Sequence, residues 1–212
     1  RPLELVFANG MDKGEIVGIP TGDVTQMKSF EEFFDAYKKQ MEYCISLLVN
    51  ADNAIDVAHA ERCPLPFLSC MIDDCLKEGR SVQEGGAVYN FTGPQGFGIA
   101  NMADGLFAIR KLVYEEKKVS MEEFKEALAW NYDKGLDAQS AGDMTEMIMK
   151  AMQKAGKEAD ASTAAGLLKT FIGMKPGEQK TQRFKEIHDM IDEVPKFGND
   201  IPEIDYFARE VA

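Results

Sequence analysis

Between Glu84 and Leu106 the chain gathers Gly85, Gly86, Gly93, Gly96 and Gly98, with Pro94, around one short apolar run. Glycine admits positive φ and lets a second backbone or a ligand come close, and such a turn ahead of a helix N-terminus can form a phosphate cradle or an active-site wall. A helical pattern starts at once, with Ile99, Met102, Ala103, Leu106, Ile109 and Val113. The cradle is the poorer reading. The run has no P-loop Lys-Ser/Thr pair, and Asn101 stands where a dinucleotide fingerprint has its last glycine. For a wall, Gln95 is the polar side chain at the tip long enough to reach inward, and Phe97 adds an apolar surface. Gln95 and Phe97 are therefore the candidate substrate-pocket residues. The competing reading is that the turn only joins a strand to a helix.

Other groups carry less. His59 follows Ile55 by four residues beside Asp52, Asp56 and Glu61, which fits a core or helix-end histidine better than a proton partner. His188, between Glu186 and Asp189 on an amphipathic helix, reads as a surface residue. Met144, Met147, Met149 and Met152 have helical spacing, which favours packing over a soft-metal site. The carboxylates of Asp73, Asp74 and Glu78, and of Glu115 and Glu116, read as solvated faces. Cys44, Cys63, Cys70 and Cys75 lack zinc-site spacing and read as reduced, mostly buried thiols. No residue is assigned as catalytic, cofactor-binding or metal-ligating.

These side chains sit in 212 residues, 45% hydrophobic, enough for a real core. A net charge of −12 argues against nucleic acid and anionic membrane as partners. No apolar run approaches the ~20 residues of a membrane span, and no secretory leader is recognised, so a cytoplasmic protein is expected. The chain opens on Arg1 without an initiating methionine, as a piece of a longer protein would.

The elements expected are mainly helical. Ser29 and Glu32 form an S-x-x-E capping box, followed by Phe30, Phe33, Phe34, Tyr37, Met41, Cys44, Ile45, Leu48 and Ile55 on one face. This predicts a helix buried along roughly seven turns and ending before Pro64. Phe67, Leu68, Met71, Ile72, Cys75 and Leu76 restart a helix that stops near Gly79. Ser120 and Glu123 cap another, with Met121, Phe124, Ala127 and Leu128, and Phe184, Ile187, Ile191 and Val194 form one more. One or two strands are expected near Ala87 to Phe91, and a helical excursion at about 134–183.

The run from Glu84 through Leu106 to Lys118 resembles the corresponding stretch of glycyl radical enzymes of the pyruvate formate-lyase family. Two further blocks agree in order: Asp52 to Ser69, with His59-Ala60-Glu61-Arg62-Cys63-Pro64, and Pro195-Lys196-Phe197-Gly198-Asn199-Asp200 with Asp205. The wording Tyr89-Asn90-Phe91-Thr92-Gly93-Pro94-Gln95-Gly96 is more similar to the dehydratase-like, glycerol or diol dehydratase-type branch. The resemblance implies a mainly α fragment with one or two short strands, part of a ten-stranded α/β barrel in the intact enzyme. It would make 1–212 a partial pyruvate formate-lyase-type domain, interrupted by the excursion. It implies radical cleavage of C–O, C–N or C–X bonds in a small-molecule substrate, using a glycyl radical installed by a radical SAM activating enzyme, in a homodimer. The family's catalytic cysteine and glycyl motifs are not found here, so the chain alone would be inactive and would bind no cofactor itself. Formate C-acetyltransferase activity is the alternative within the family, and a non-enzymatic acidic helical interaction module the alternative outside it.

Overall fold

A computed structural model describes residues 1–89, 93, 95–132 and 178–211. Among these the chain is mainly helical with one two-stranded antiparallel sheet. It divides into two compact units, Arg1–Gln40 with Gly98–Ala212, and Met41–Phe97.

In the first unit, α1 (Pro2–Phe7) leads to β1 (Met11–Asp12) and β2 (Glu15–Ile16), with Met11 paired to Ile16 and Asp12 to Glu15. Lys13 and Gly14 take φ of 48° and 79°, the left-handed pair that a two-residue hairpin turn requires. Helix α2 (Phe30–Arg62) starts where its capping signal places it. Ser29 Oγ accepts the Glu32 N–H at 3.2 Å, while the Glu32 carboxylate accepts from Lys28 N–H at 2.8 Å, one residue upstream of the expected reciprocal bond.

The first turns of α2 build the core of this unit. Phe30, Phe33, Phe34 and Tyr37 are buried, and their rings meet Phe7 of α1 at 5.7 Å from Phe33 and Phe207 at 5.4 Å from Phe30. Phe207 belongs to α8 (Pro202–Val211), which packs along α5 (Ile99–Ile109). Helix α6 (Met121–Ala129) shows the expected capping box: Ser120 Oγ accepts the Glu123 N–H at 3.1 Å and Glu123 accepts the Ser120 N–H at 3.0 Å. Arg183 of α7 (Glu178–Glu193) ties itself to Glu123 at 3.2 Å and donates to Lys118 O at 2.8 Å.

The second unit holds the rest of α2, the short helices α3 (Pro66–Ser69) and α4 (Cys75–Glu78), and a 3-10 turn at Val82–Glu84. It buries little of its own apolar surface. Cys75 and Ala87 are covered, whereas Ile45, Leu48, Ile55, Phe67 and Leu76 stand 50–78% exposed.

Several expectations are corrected. The apolar stripe of α2 is buried only as far as Gln40, because the elements that cover it all belong to the first unit. The helix expected over 67–76 is two short ones, separated where Asp74 adopts φ 76°. Ala87–Tyr89 form bends, and the strands lie instead in the hairpin at 11–16; residues 90–92 lie outside those described. The excursion falls outside them too over 134–177, including Met144, Met147, Met149 and Met152, while 178–183 begin α7. Helix α5 continues as a π-helical segment, Arg110–Glu115. Its wider turn brings side chains five apart together, pairing Arg110 with Glu115 at 2.6 Å and Lys111 with Glu116 at 4.0 Å.

Gln40 is fully buried and grips one backbone unit twice, donating to Ile19 O at 2.5 Å and accepting from Ile19 N–H at 3.2 Å. Gln40→Leu strands both groups. The expected loss is about 1–3 kcal/mol in all, since Ile19 is only half-buried, read by urea unfolding.

Tyr37 and Tyr114 keep buried hydroxyls with no hydrogen-bond partner among the described residues, and burial pushes both phenols up to about 12. The folded chain holds these protons to about pH 12, whereas an unfolded one sheds them near pH 10. Proton release across that window favours unfolding, so stability falls as pH rises through it. Replacing both tyrosines by phenylalanine should flatten this alkaline slope in pH-dependent melts without lowering stability at pH 7.

Candidate functional site

The glycine-rich segment is anchored at its base by short-range polar bonds. Ser81 N–H and Oγ both donate to Glu84 Oε2 at 2.9 Å, and these bonds hold the Glu84 carboxyl below its usual pKa. Arg80 donates to Gly85 O at 2.7 Å, and Gly86 N–H to Ser81 O at 2.9 Å. A Cβ at Gly86 would lie 2.2 Å from Arg80 O, so the close backbone approach needs glycine there. At the other end Gly98 takes φ 78° and opens α5. That left-handed residue turns the chain into the helix.

Among the described residues of the segment, Val88, Tyr89, Gly93 and Gln95–Phe97 are exposed. Tyr89 is 88% exposed and Phe97 89%, and Gln95 is exposed as well. The cleft described in this unit, about 390 Å³, is lined instead by Asp56, Val57, His59, Ala60, Val82 and Gln83. His59 is thus an exposed helix-end residue at the rim of a cleft rather than a core group. Val82 and Gln83 are fixed there: the Val82 N–H donates to Ser69 Oγ at 3.0 Å, and Gln83 Oε1 accepts from Leu65 N–H at 3.2 Å.

The remaining candidates are scattered. His188 is partly exposed, 3.3 Å from Asp192 and edge-on to Tyr132 at 4.9 Å between ring centres. Glu115 and Glu116 are taken up by the ion pairs of the π-helical segment, and Glu116 also holds Lys118 at 2.7 Å. Of the cysteines only Cys75 is buried, while Cys63 and Cys70 are exposed, against the expectation of mostly buried thiols. The turns that carry them leave the second unit without a core to receive them. Among the described residues no three His, Cys, Asp or Glu side chains converge as a metal site, and no helix is long and apolar enough to cross a membrane.

One contact had no signal in the sequence beyond a carboxylate on an otherwise apolar helix. Asp104 Oδ1, on α5, accepts the Phe197 N–H at 2.6 Å across 93 residues. It joins the helix that follows the glycine-rich turn to the loop carrying Phe197-Gly198-Asn199-Asp200.

These linked blocks lie in a chain that matches the pyruvate formate lyase-like (PFL-like) profile over residues 1–212. The chain belongs to the pyruvate formate lyase-like family. A solved structure described as 1,2-propanediol dehydration in Roseburia inulinivorans is 56% identical over all of this chain and 25% of its own, with a TM-score of 0.91. The glycerol-bound B12-independent glycerol dehydratase from Clostridium butyricum is 38% identical over all of this chain and 21% of its own, with a TM-score of 0.71. The trans-4-hydroxy-L-proline dehydratase of Clostridioides difficile is 38% identical over 133 residues, 62% of this chain and 17% of that protein. The chain thus spans a quarter or less of the length of these relatives. The family expected from the three sequence blocks is confirmed.

Two glycines in the segment should respond differently to a methyl group. Gly86→Ala collides with the Arg80 carbonyl and is expected to lose about 1–3 kcal/mol. Gly93→Ala meets no atom within 4 Å among the described residues and should stay within about 0.5 kcal/mol of the parent. Thermal melts of the two variants side by side check this; equal losses would mean that backbone approach is not what selects Gly86.

Proposed function

We propose that this chain is an internal part of a longer glycyl radical enzyme of the dehydratase type, acting on a small vicinal diol. The observation that carries the reading is the likeness, along the whole chain, to the protein of 1,2-propanediol dehydration, at 56% identity and a TM-score of 0.91. The reaction proposed is elimination of water across the two carbinol carbons, so that propane-1,2-diol becomes propanal plus water. In the intact protein the glycyl radical, installed by a radical SAM activating enzyme, supplies hydrogen-atom abstraction. Neither the catalytic cysteine motif nor the radical glycine motif occurs among these 212 residues, so no step of that chemistry is assigned to them.

What this chain contributes under the proposal is wall and scaffold. Gln95 and Phe97 form part of the substrate-pocket wall, the amide meeting a hydroxyl and the ring excluding water. Their exposure supports the idea that they face a part of the protein beyond this chain. The exposed Ile45, Leu48, Ile55, Phe67 and Leu76 support it further, since a 57-residue unit with so few covered side chains cannot supply its own core. The surrounding body is proposed to be the ten-stranded barrel of the family, in a homodimer, with 1–212 as a partial domain bearing the excursion at about 134–183.

The test is anaerobic activation of the full-length protein followed by assay with propane-1,2-diol and glycerol. Aldehyde formation is expected, and the 212-residue chain alone should form none. Formation of acetyl-coenzyme A from pyruvate would instead select the acyl-transfer reading. Gln95→Ala should raise KM for the diol by on the order of tenfold; unchanged kcat and KM would sink the pocket-wall role.

A further inference from the structure

Helix α5 is the first element after the glycine-rich turn, so whatever fixes α5 along its axis fixes where the chain leaves that turn. Apolar packing holds one face of α5: helix α8 lies along it, and Ala103, Leu106, Phe107, Ala108 and Ile109 are buried. A contact with direction is added by Asp104, a carboxylate oxygen 2.6 Å from a single backbone N–H. Charged acceptors make the shorter and stronger hydrogen bonds, and one N–H defines one position.

The loop on the other side of this bond is itself tied down. Asn199 Nδ2 donates to Lys196 O at 3.0 Å, and the Lys196 ammonium donates to Ile191 O at the end of α7. Gly198 and Asp200 adopt φ of 90° and 54°. The loop is therefore a stiff bracket from α7 to α8 rather than a slack connection. Asp104 hooks α5 onto it.

We propose that Asp104 is a positioning residue: through Phe197 N–H it sets the axial register of α5, and with it the point at which the chain enters that helix after the glycine-rich turn. The proposal rests on the dehydratase reading for its kinetic consequence, not for the coupling itself. Asparagine keeps an acceptor oxygen at the same reach, alanine keeps none, and serine keeps polarity without the length.

The experiment uses the full-length protein with Asp104→Ala, Asp104→Ser and Asp104→Asn, and has two arms. Amide hydrogen exchange should quicken on the order of tenfold or more at Phe197 and at the hydrogen-bonded amides Met102–Leu106 of α5 together in the alanine and serine variants, and stay within about threefold of the parent in the asparagine variant. In the activated enzyme, KM for propane-1,2-diol should rise on the order of tenfold in the same two variants, with kcat changed less, and recover with asparagine. Exchange that quickens at Phe197 alone, with KM unmoved, would show a loop pin and overturn the proposal. If the alanine variant does not fold, the serine variant decides by the same two readings. A parent protein inactive on diols defeats the dehydratase reading while the exchange arm still decides the coupling.

Discussion

Burial of four aromatic rings on the first turns of α2 is the constraint on which the first unit depends. Phe30, Phe33, Phe34 and Tyr37 are spaced so that one helical face presents them together; the first three meet rings distant in sequence, and Tyr37 stacks on Phe34. Phe207 sits edge-on to both Phe30 and Phe34, at 5.4 and 5.6 Å, which fastens α8. Phe7 stacks near Phe124 at 6.1 Å and so ties α1 to α6. Aromatic pairs of this geometry add about 0.5–1.5 kcal/mol each beyond the area they bury. Remove the cluster and α1, α6 and α8 lose their common surface.

That core tolerates some imperfection. Two phenolic hydroxyls, of Tyr37 and Tyr114, are carried into it without partners among the described residues. The π-helical turn at Arg110–Glu115 keeps Leu112 buried, while Arg110 approaches the Phe207 ring at 6.0 Å and pairs with Glu115 on the outside. A departure from α geometry there has an identifiable cause in side-chain pairing and burial. It is not a loose end of α5.

The second unit obeys a different balance. Its order comes from local polar bonds, such as Glu84 holding Ser81, Arg80 reaching Gly85 and Ser69 receiving Val82 N–H, rather than from a core of its own. Such bonds each contribute only about 1 kcal/mol net. Large apolar side chains stay exposed over the same stretch, the kind of surface through which a protein meets a partner. The glycine-rich segment belongs to this unit up to Phe97, so its outward-facing Gln95 and Phe97 share that character.

Much was legible in the sequence because it was local. The capping residues Ser29 and Ser120 and the stop before Pro64 depend on neighbours a few residues away, and they stand where they were read. Family membership was legible too, since it rests on the wording of three blocks. What periodicity could not say was whether an apolar stripe has anything to bury against: the stripe of α2 runs on to Ile55, but its cover ends at Gln40. Nor does spacing reveal that Asp104 meets Phe197 N–H across 93 residues, or that the strands form near Met11 rather than Ala87. The sequence alone determined where the capped helices begin and to which family the chain belongs, because caps, breakers and block wording are short-range. Tertiary structure alone decided what is buried and what is joined, because burial and a hydrogen bond between distant segments exist only once the chain has brought them together.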